Sequence, residues 1–150
     1  MKLPTNILVP IDFSTTADQA LEYAIALAAK LGARIHLVHV IGMPSFGIPD
    51  LGVAVTNTMI ESLVRDGQAA LDRIVAQRRG EATFGEVSLR TGDARGMILE
   101  AANDVGADLI VIGTHGRSGV ARVLLGSVAE AVVRTAPCPV VVVRTLPLPD

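Results

Sequence analysis

Seven consecutive residues, Gly113-Thr114-His115-Gly116-Arg117-Ser118-Gly119, hold three glycines directly after an apolar run, Leu109 to Ile112. Backbone N–H groups that no side chain covers can turn inward together, and such a loop suits an anion, phosphate above all. A second pair, Gly126-Ser127, comes after nine intervening residues counted from Gly116 and opens a helical stretch, Val128 to Arg134. There the N–H groups of a helix start, the positive end of its dipole and the Ser127 hydroxyl converge, which makes a second phosphate site. Folded back, the intervening segment could set both glycine clusters against one polyphosphate. The pattern is not a Walker A loop, because no lysine follows any glycine. Nor is it the dinucleotide fingerprint, because the first apolar run leads into Asp12-Phe13-Ser14-Thr15 instead of glycines.

Few other groups offer chemistry. Asp12, at the end of the first apolar run, could contact a ligand or help hold a metal, and could equally cap the helix that follows. Arg117 is the one cation inside the glycine loop, suited to a charge-assisted bond with phosphate or to a solvated surface position. His115 has no second acid or base near it in sequence, so its backbone N–H could be all that matters. No catalytic residue is assigned. His36 and His39 lie three apart in a strand-like run, where alternation sends them to opposite faces, so they form no metal pair and read as core or edge histidines. No cluster of Cys, His and carboxylates has metal-ligand spacing. A Mg²⁺ or Mn²⁺ would arrive with a nucleotide's phosphates, assisted by Ser127 or Asp12.

The elements that must position these groups are legible in the apolar pattern. Five short runs rich in Val and Ile, Ile7 to Ile11, Ile35 to Val40, Val87 to Leu89, Leu109 to Ile112 and Val140 to Val143, read as strands buried on both faces. Between them helical spacing recurs: Ala20, Leu21, Ala24, Leu27, Ala28 and Leu31; then Ile60, Leu63, Val64, Leu71, Ile74 and Val75; then Met97, Ile98, Ala101, Ala102 and Val105. Thr15 with Asp18 three residues on has the form of a capping box, and Gly32 and Gly106 stand where a helix ends. Alternating strands and helices predict a three-layer α/β domain with a parallel sheet. Ligands of such sheets sit beyond the carboxyl ends of the strands, which is where Asp12, the Thr91-Gly92-Asp93 turn and the glycine loop fall. A long irregular segment, Ile41 to Gly52, follows the second strand and could be a lid or a connection without a role.

Composition removes other classes. A chain of 150 residues fits a single domain, 1–150, with room for a real core. The net charge of −2, three phenylalanines, one tyrosine and no tryptophan give neither the basic footprint nor the stacking platforms of a nucleic-acid binder. Charges interrupt every apolar stretch, so no membrane insertion is expected, and the start Met-Lys-Leu-Pro-Thr-Asn lacks the pattern of a signal peptide. A cytoplasmic setting is therefore expected. Cys138, between prolines and without a partner, reads as a buried structural thiol.

The pattern Gly113, two residues, Gly116, nine residues, Gly126-Ser127 resembles that of the universal stress proteins, in their ATP-binding branch. Similar to the family as well are Ile7-Leu8-Val9-Pro10-Ile11-Asp12-Phe13-Ser14, Ala107-Asp108-Leu109-Ile110-Val111-Ile112-Gly113 and Ala136-Pro137-Cys138-Pro139 with the valines after it, so that the resemblance spans almost the whole chain. It implies a Rossmann-like homodimer with strand order 3-2-1-4-5 that binds ATP and acts in stress tolerance or signalling, mostly without an established reaction. It also implies Pro10 and Asp12 beside the adenine and ribose, with the Val40 backbone facing the adenine. Gly113, Thr114, His115, Gly116, Arg117, Ser118 and Gly119 would wrap phosphates and ribose, and Gly126, Ser127 and Val128 would close over the phosphate tail. Arg95-Gly96 departs from the family's better helix formers, which puts local helix stability in question.

Independently of the family, Val140 to Val143 is as apolar as a central strand yet ends up at a sheet edge, so a second copy of the chain is expected to cover it. The function expected is a non-enzymatic, ATP-dependent regulator or sensor with an unidentified protein partner. The alternative is slow ATP hydrolysis or phosphoryl transfer to Ser118 or Ser127. A receiver-like module signalling through Asp93 is a third reading, weakened by the lone acid, Asp12, after the first strand.

Overall fold

A computed structural model describes residues 2–42, 57–114 and 125–144. Strands and helices alternate: β1 (Asn6–Pro10), α1 (Thr15–Leu31), β2 (Arg34–Gly42), α2 (Asn57–Gln77), β3 (Thr83–Gly92), α3 (Ala94–Val105), β4 (Leu109–Gly113), α4 (Ser127–Thr135) and β5 (Val140–Val143). All pairings are parallel, in the order β3-β2-β1-β4-β5.

The period of two along each strand feeds two cores. Ile7, Val9, Ile35, Leu37, Leu109 and Val111 pack on one face with α1 and Leu71 of α2. Leu8, Val38, Ile110 and Ile112 pack on the other with Ile98, Ala101 and Ala102 of α3 and Ala129 and Val132 of α4. These are the three layers that the buried apolar runs predicted. Helix ends follow local chemistry: Gly32 and Gly106 take the left-handed conformation after α1 and α3, at φ 67° and 62°.

Several boundaries differ from expectation. The α1 cap is Ser14, whose hydroxyl accepts from the Ala17 N–H, one residue ahead of the Thr15 and Asp18 pairing. β2 runs on through Ile41 and Gly42, which pair with Thr91 and Gly92, so the irregular segment begins later; 43–52 lie outside the described residues. β3 extends well beyond Val87 to Leu89 because an edge strand can alternate polar residues, here Glu86, Ser88 and Arg90, that hide it from a search for apolar runs. α4 is longer than Val128 to Arg134 by one residue at each end. On α2 only Gly67 and Leu71 are buried, and Leu63, expected on the packing face, is exposed. Gly96 lies in the first turn of α3, where its N–H donates to the Asp93 carboxylate that caps the helix. Cys138 is half-buried against the α3 and α4 core, and burial pushes its thiol pKa up.

Candidate functional site

The chain moves outward from β1 to β2 and β3, then returns to place β4 on the other side of β1. Loops leaving β1 and β4 therefore part in opposite directions and leave a crevice between them. A cavity of about 240 Å³ lies there. Pro10, Ile11, Asp12 and Ser14 form its β1 wall, and Val38 and Val40 its β2 wall. Ala94 and Ile98 come from the start of α3, Ile112, Gly113 and Thr114 from the end of β4, and Gly126 to Ala129 from the start of α4.

The β1 wall is a tightly bonded turn. One Asp12 carboxylate oxygen accepts from both the N–H and the hydroxyl of Ser14, so Asp12 orients the residue that caps α1 while it borders the cavity. Between them Phe13 sits at φ 64°, the one non-glycine residue with positive φ among the described residues. At the β4 wall Gly113 has a packing reason: a Cβ there would stand 2.9 Å from the Thr16 carbonyl oxygen, so the glycine lets the first turn of α1 lie against the strand end. Thr114 donates its N–H to the Val143 carbonyl at 2.9 Å and accepts from the Gly126 N–H at 2.7 Å. The chain thus leaves the sheet at Thr114 and returns to the same point at Gly126, which brings the flanks of the two glycine clusters together.

Two features of this corner are unsatisfied. Among the described residues, no side chain hydrogen-bonds to the first turn of α4, which begins at Gly126, and Ser127, Val128 and Ala129 of that turn border the cavity. The Thr114 hydroxyl oxygen is buried without a hydrogen-bond partner among the described residues. An uncapped helix start favours an acceptor-rich and preferably anionic group, and the Thr114 hydroxyl beside it can donate or accept. Asp12 is the one ionisable side chain among the described residues that line the cavity.

Of the thirteen residues expected at the site, Pro10, Asp12, Val40, Gly113, Thr114, Gly126, Ser127 and Val128 border this cavity; His115, Gly116, Arg117, Ser118 and Gly119 lie outside the described residues. Ile11, Ser14, Ala17, Val38, Ala94, Ile98, Ile112 and Ala129 border it as well and were not among the thirteen. Strand alternation puts Val38 on the face of Val40, and a spacing of four puts Ala94 and Ile98 on one side of α3, so the signal was present. Asp93 caps α3 after the edge strand β3, which β2 separates from β1. Asp93 therefore does not follow a strand paired with β1, as a receiver's acceptor would, and its carboxylate is engaged by the Gly96 N–H.

Residues 4–144 match the model of the universal stress protein family. The chain belongs to the universal stress protein family. A universal stress protein of Methanocaldococcus jannaschii is 34% identical over 140 residues, which cover 93% of this chain and 81% of that protein. Among solved structures, that of the hypothetical protein MJ0577 superimposes with a TM-score of 0.82 at 28% identity, covering 96% of this chain and 98% of the other. Solved universal stress protein structures similar to this chain include nucleotide complexes. One, from Archaeoglobus fulgidus in complex with dAMP, matches at TM-score 0.63 and 27% identity over 93% of this chain and 97% of its own. Another, in complex with cAMP, matches at TM-score 0.62 and 26% identity over 95% of this chain and 98% of its own.

Proposed function

We propose that this universal stress protein binds ATP in the cavity between β1 and β4 and acts as a nucleotide-dependent regulator or sensor in a stress response. The observation that carries the reading is the uncapped start of α4, set beside the partnerless Thr114 hydroxyl at one end of a cavity whose other end is apolar. That polarity fits a nucleotide: the base against Val38 and Val40, the sugar near Pro10 and Asp12, and phosphates toward Gly113, Thr114, Gly126, Ser127 and Val128. His115, Gly116, Arg117, Ser118 and Gly119 would complete the phosphate wrap. At about 240 Å³ the cavity is smaller than most small-molecule sites, which run to roughly 300–1,000 Å³, so it would take a nucleotide in part. The relatives that hold cAMP and dAMP support an adenine nucleotide as the ligand class.

The chain's own groups bind and orient; none is assigned to move a proton. A Mg²⁺ or Mn²⁺ carried by the phosphates would neutralise their charge, with Ser127 or Asp12 as the side chains at hand. The proposed setting is the cytoplasm and the proposed assembly a homodimer. β5 pairs with β4 and, among the described strands, has no second neighbour, so its four half-buried valines offer an edge for a second copy. A monomer in sedimentation at micromolar concentration would contradict that assembly.

Denaturing the purified protein and identifying the released nucleotide by chromatography, beside a titration with Mg-ATP, tests the reading. Intact ATP is expected. Bound ADP with measurable phosphate release would favour slow hydrolysis or transfer to Ser127 or Ser118, and a protein that is empty and ignores ATP would overturn nucleotide binding.

A further inference from the structure

We propose that His39 is a positioning residue through which α2 sets the shape of the nucleotide-binding turn, Ile11 to Ser14. The inference deepens the nucleotide-binding reading above and rests on it. His39 lies on β2 with its side chain on the face opposite Val38 and Val40, so it does not border the cavity. Its ring instead supports the back of the turn. Nδ1 stands 2.7 Å from the Ile11 carbonyl oxygen; a carbonyl can only accept, so Nδ1 carries the proton and donates. The same ring meets Phe13 with centroids 4.5 Å apart and planes tilted by 46°.

Phe13 is the residue that needs holding. A bulky side chain at φ 64° is strained, and such a conformation persists where its surroundings over-determine it. Here the Ile11 N–H donates to the Val38 carbonyl at 2.8 Å, the Ile11 carbonyl is held by His39, and the Phe13 ring lies against the same imidazole. Asp12 sits between these two anchors and borders the cavity.

The far side of the imidazole belongs to α2. A Cβ on Gly67 would stand 3.1 Å from His39 Cδ2 and 2.8 Å from Leu89 Cδ1, so the helix backbone approaches the ring as closely as a glycine allows. Among the described residues α2 is anchored in its second half, where Gly67 and Leu71 are buried and Ile74 and Val75 pack on the core, while Leu63 in its first half is exposed. Elements with few buried contacts are the ones that move at low cost. A shift of α2 would reach the cavity wall through one ring, from Gly67 to His39 to Ile11 and Phe13.

The test uses the full chain and Mg-ATP in titration calorimetry, with amide NMR of Ile11 to Ser14 as a second readout that needs no ligand. His39→Leu removes donor and ring and should weaken ATP binding about tenfold, the size of one lost hydrogen bond plus a loosened turn. His39→Asn, whose amide nitrogen can take the place of Nδ1, should stay within about threefold of wild type. Gly67→Ala presses on the ring and on Leu89, with better helix propensity offsetting part of the overpacking, so it should cut affinity about threefold and should shift the Ile11 to Ser14 amides. Gly67→Ala placed in His39→Leu should add no further loss and no further shift, because the route is already broken. Wild-type affinity in His39→Leu, equal losses in His39→Leu and His39→Asn, or independent effects of the two substitutions would overturn the inference. If wild type itself binds no ATP, the nucleotide reading falls, and the amide shifts still decide whether α2 acts through His39.

Discussion

At the amino end of the sheet every polar group named here finds its partner within the chain. The Asp108 carboxylate accepts from the Thr5 N–H, the Thr5 hydroxyl and the Asn6 N–H at 2.9–3.0 Å, stitching the starts of β1 and β4 together. Nearby, His36 fills a bulge between β2 and β3: its Nδ1 accepts from the Glu86 N–H at 2.8 Å, which leaves Nε2 to donate to Asn6 Oδ1 at 2.9 Å. At the carboxyl end the accounts stay open. α1 and α3 are capped by Ser14 and Asp93, but α4 starts at a glycine and the Thr114 hydroxyl has no partner. Both ends are built from the same strands, so the difference lies in the loop residues: one end supplies its own acceptors, and the other omits them where an outside group belongs.

Closing the open end should have the largest effect. Gly126→Asp would give α4 the side-chain cap it lacks, raising helix stability by only a few tenths of a kcal/mol because glycine is itself a tolerated N-cap, and would occupy the N–H groups meant for phosphate. With about 1.5–3 kcal/mol for each charge-assisted bond forfeited, ATP affinity should fall by about a hundredfold, read by calorimetry beside a thermal melt. Opening the closed end should do the reverse. Asp108→Ala strips a carboxylate of three hydrogen bonds, and the half-exposed site moderates the cost to about 1–3 kcal/mol of stability, with ATP affinity unchanged. A smaller effect sharpens the contrast: Thr114→Val removes the orphaned hydroxyl, leaving stability unchanged or slightly higher while ATP binding weakens about threefold to tenfold.

The layers and the strand order were within reach of the sequence because buried parallel strands announce themselves as Val and Ile runs, as β1 and β4 do, because the half-buried edge strand β5 keeps the same run, and because the glycine spacing pointed to one family. Most of the cavity followed from its place at the strand ends. The clamp at Asp108 was not legible, since a carboxylate before a strand looks like any surface charge until the fold brings Thr5 and Asn6 to it from more than a hundred residues away. The strain at Phe13 was equally hidden: nothing in Asp-Phe-Ser marks a left-handed residue, and it is the tertiary contact with His39 that holds it there. β3 was underestimated for the opposite reason, because an edge strand obeys polar alternation instead of burial.

The smallest expected effect concerns pH and belongs to the amino end alone. Burial, with the Arg34 charge adding to it and Glu86 opposing, lowers the His36 pKa below its usual 6.5. A lowered histidine pKa means that the unfolded chain takes up the proton first, so the stability contributed by neutral His36 is complete above pH 6.5 and is lost as pH falls from there toward the folded value. Burial alone would raise the Asp108 pKa, but the hydrogen bonds from Thr5 and Asn6 outweigh it and hold it below its ordinary value, so that contribution is lost only in stronger acid. Thermal melts between pH 7 and 5 should show a decline that flattens in His36→Gln.

The most direct test of the open carboxyl end is an amide NMR titration of the intact protein with Mg-ATP and, separately, with adenosine. ATP should shift the amides of Ser127, Val128 and Ala129 strongly, and adenosine should move the β1 and β2 walls while leaving those three nearly in place. ATP that binds without moving the start of α4, or that moves instead the amides around Thr5 and Asn6, would contradict the account.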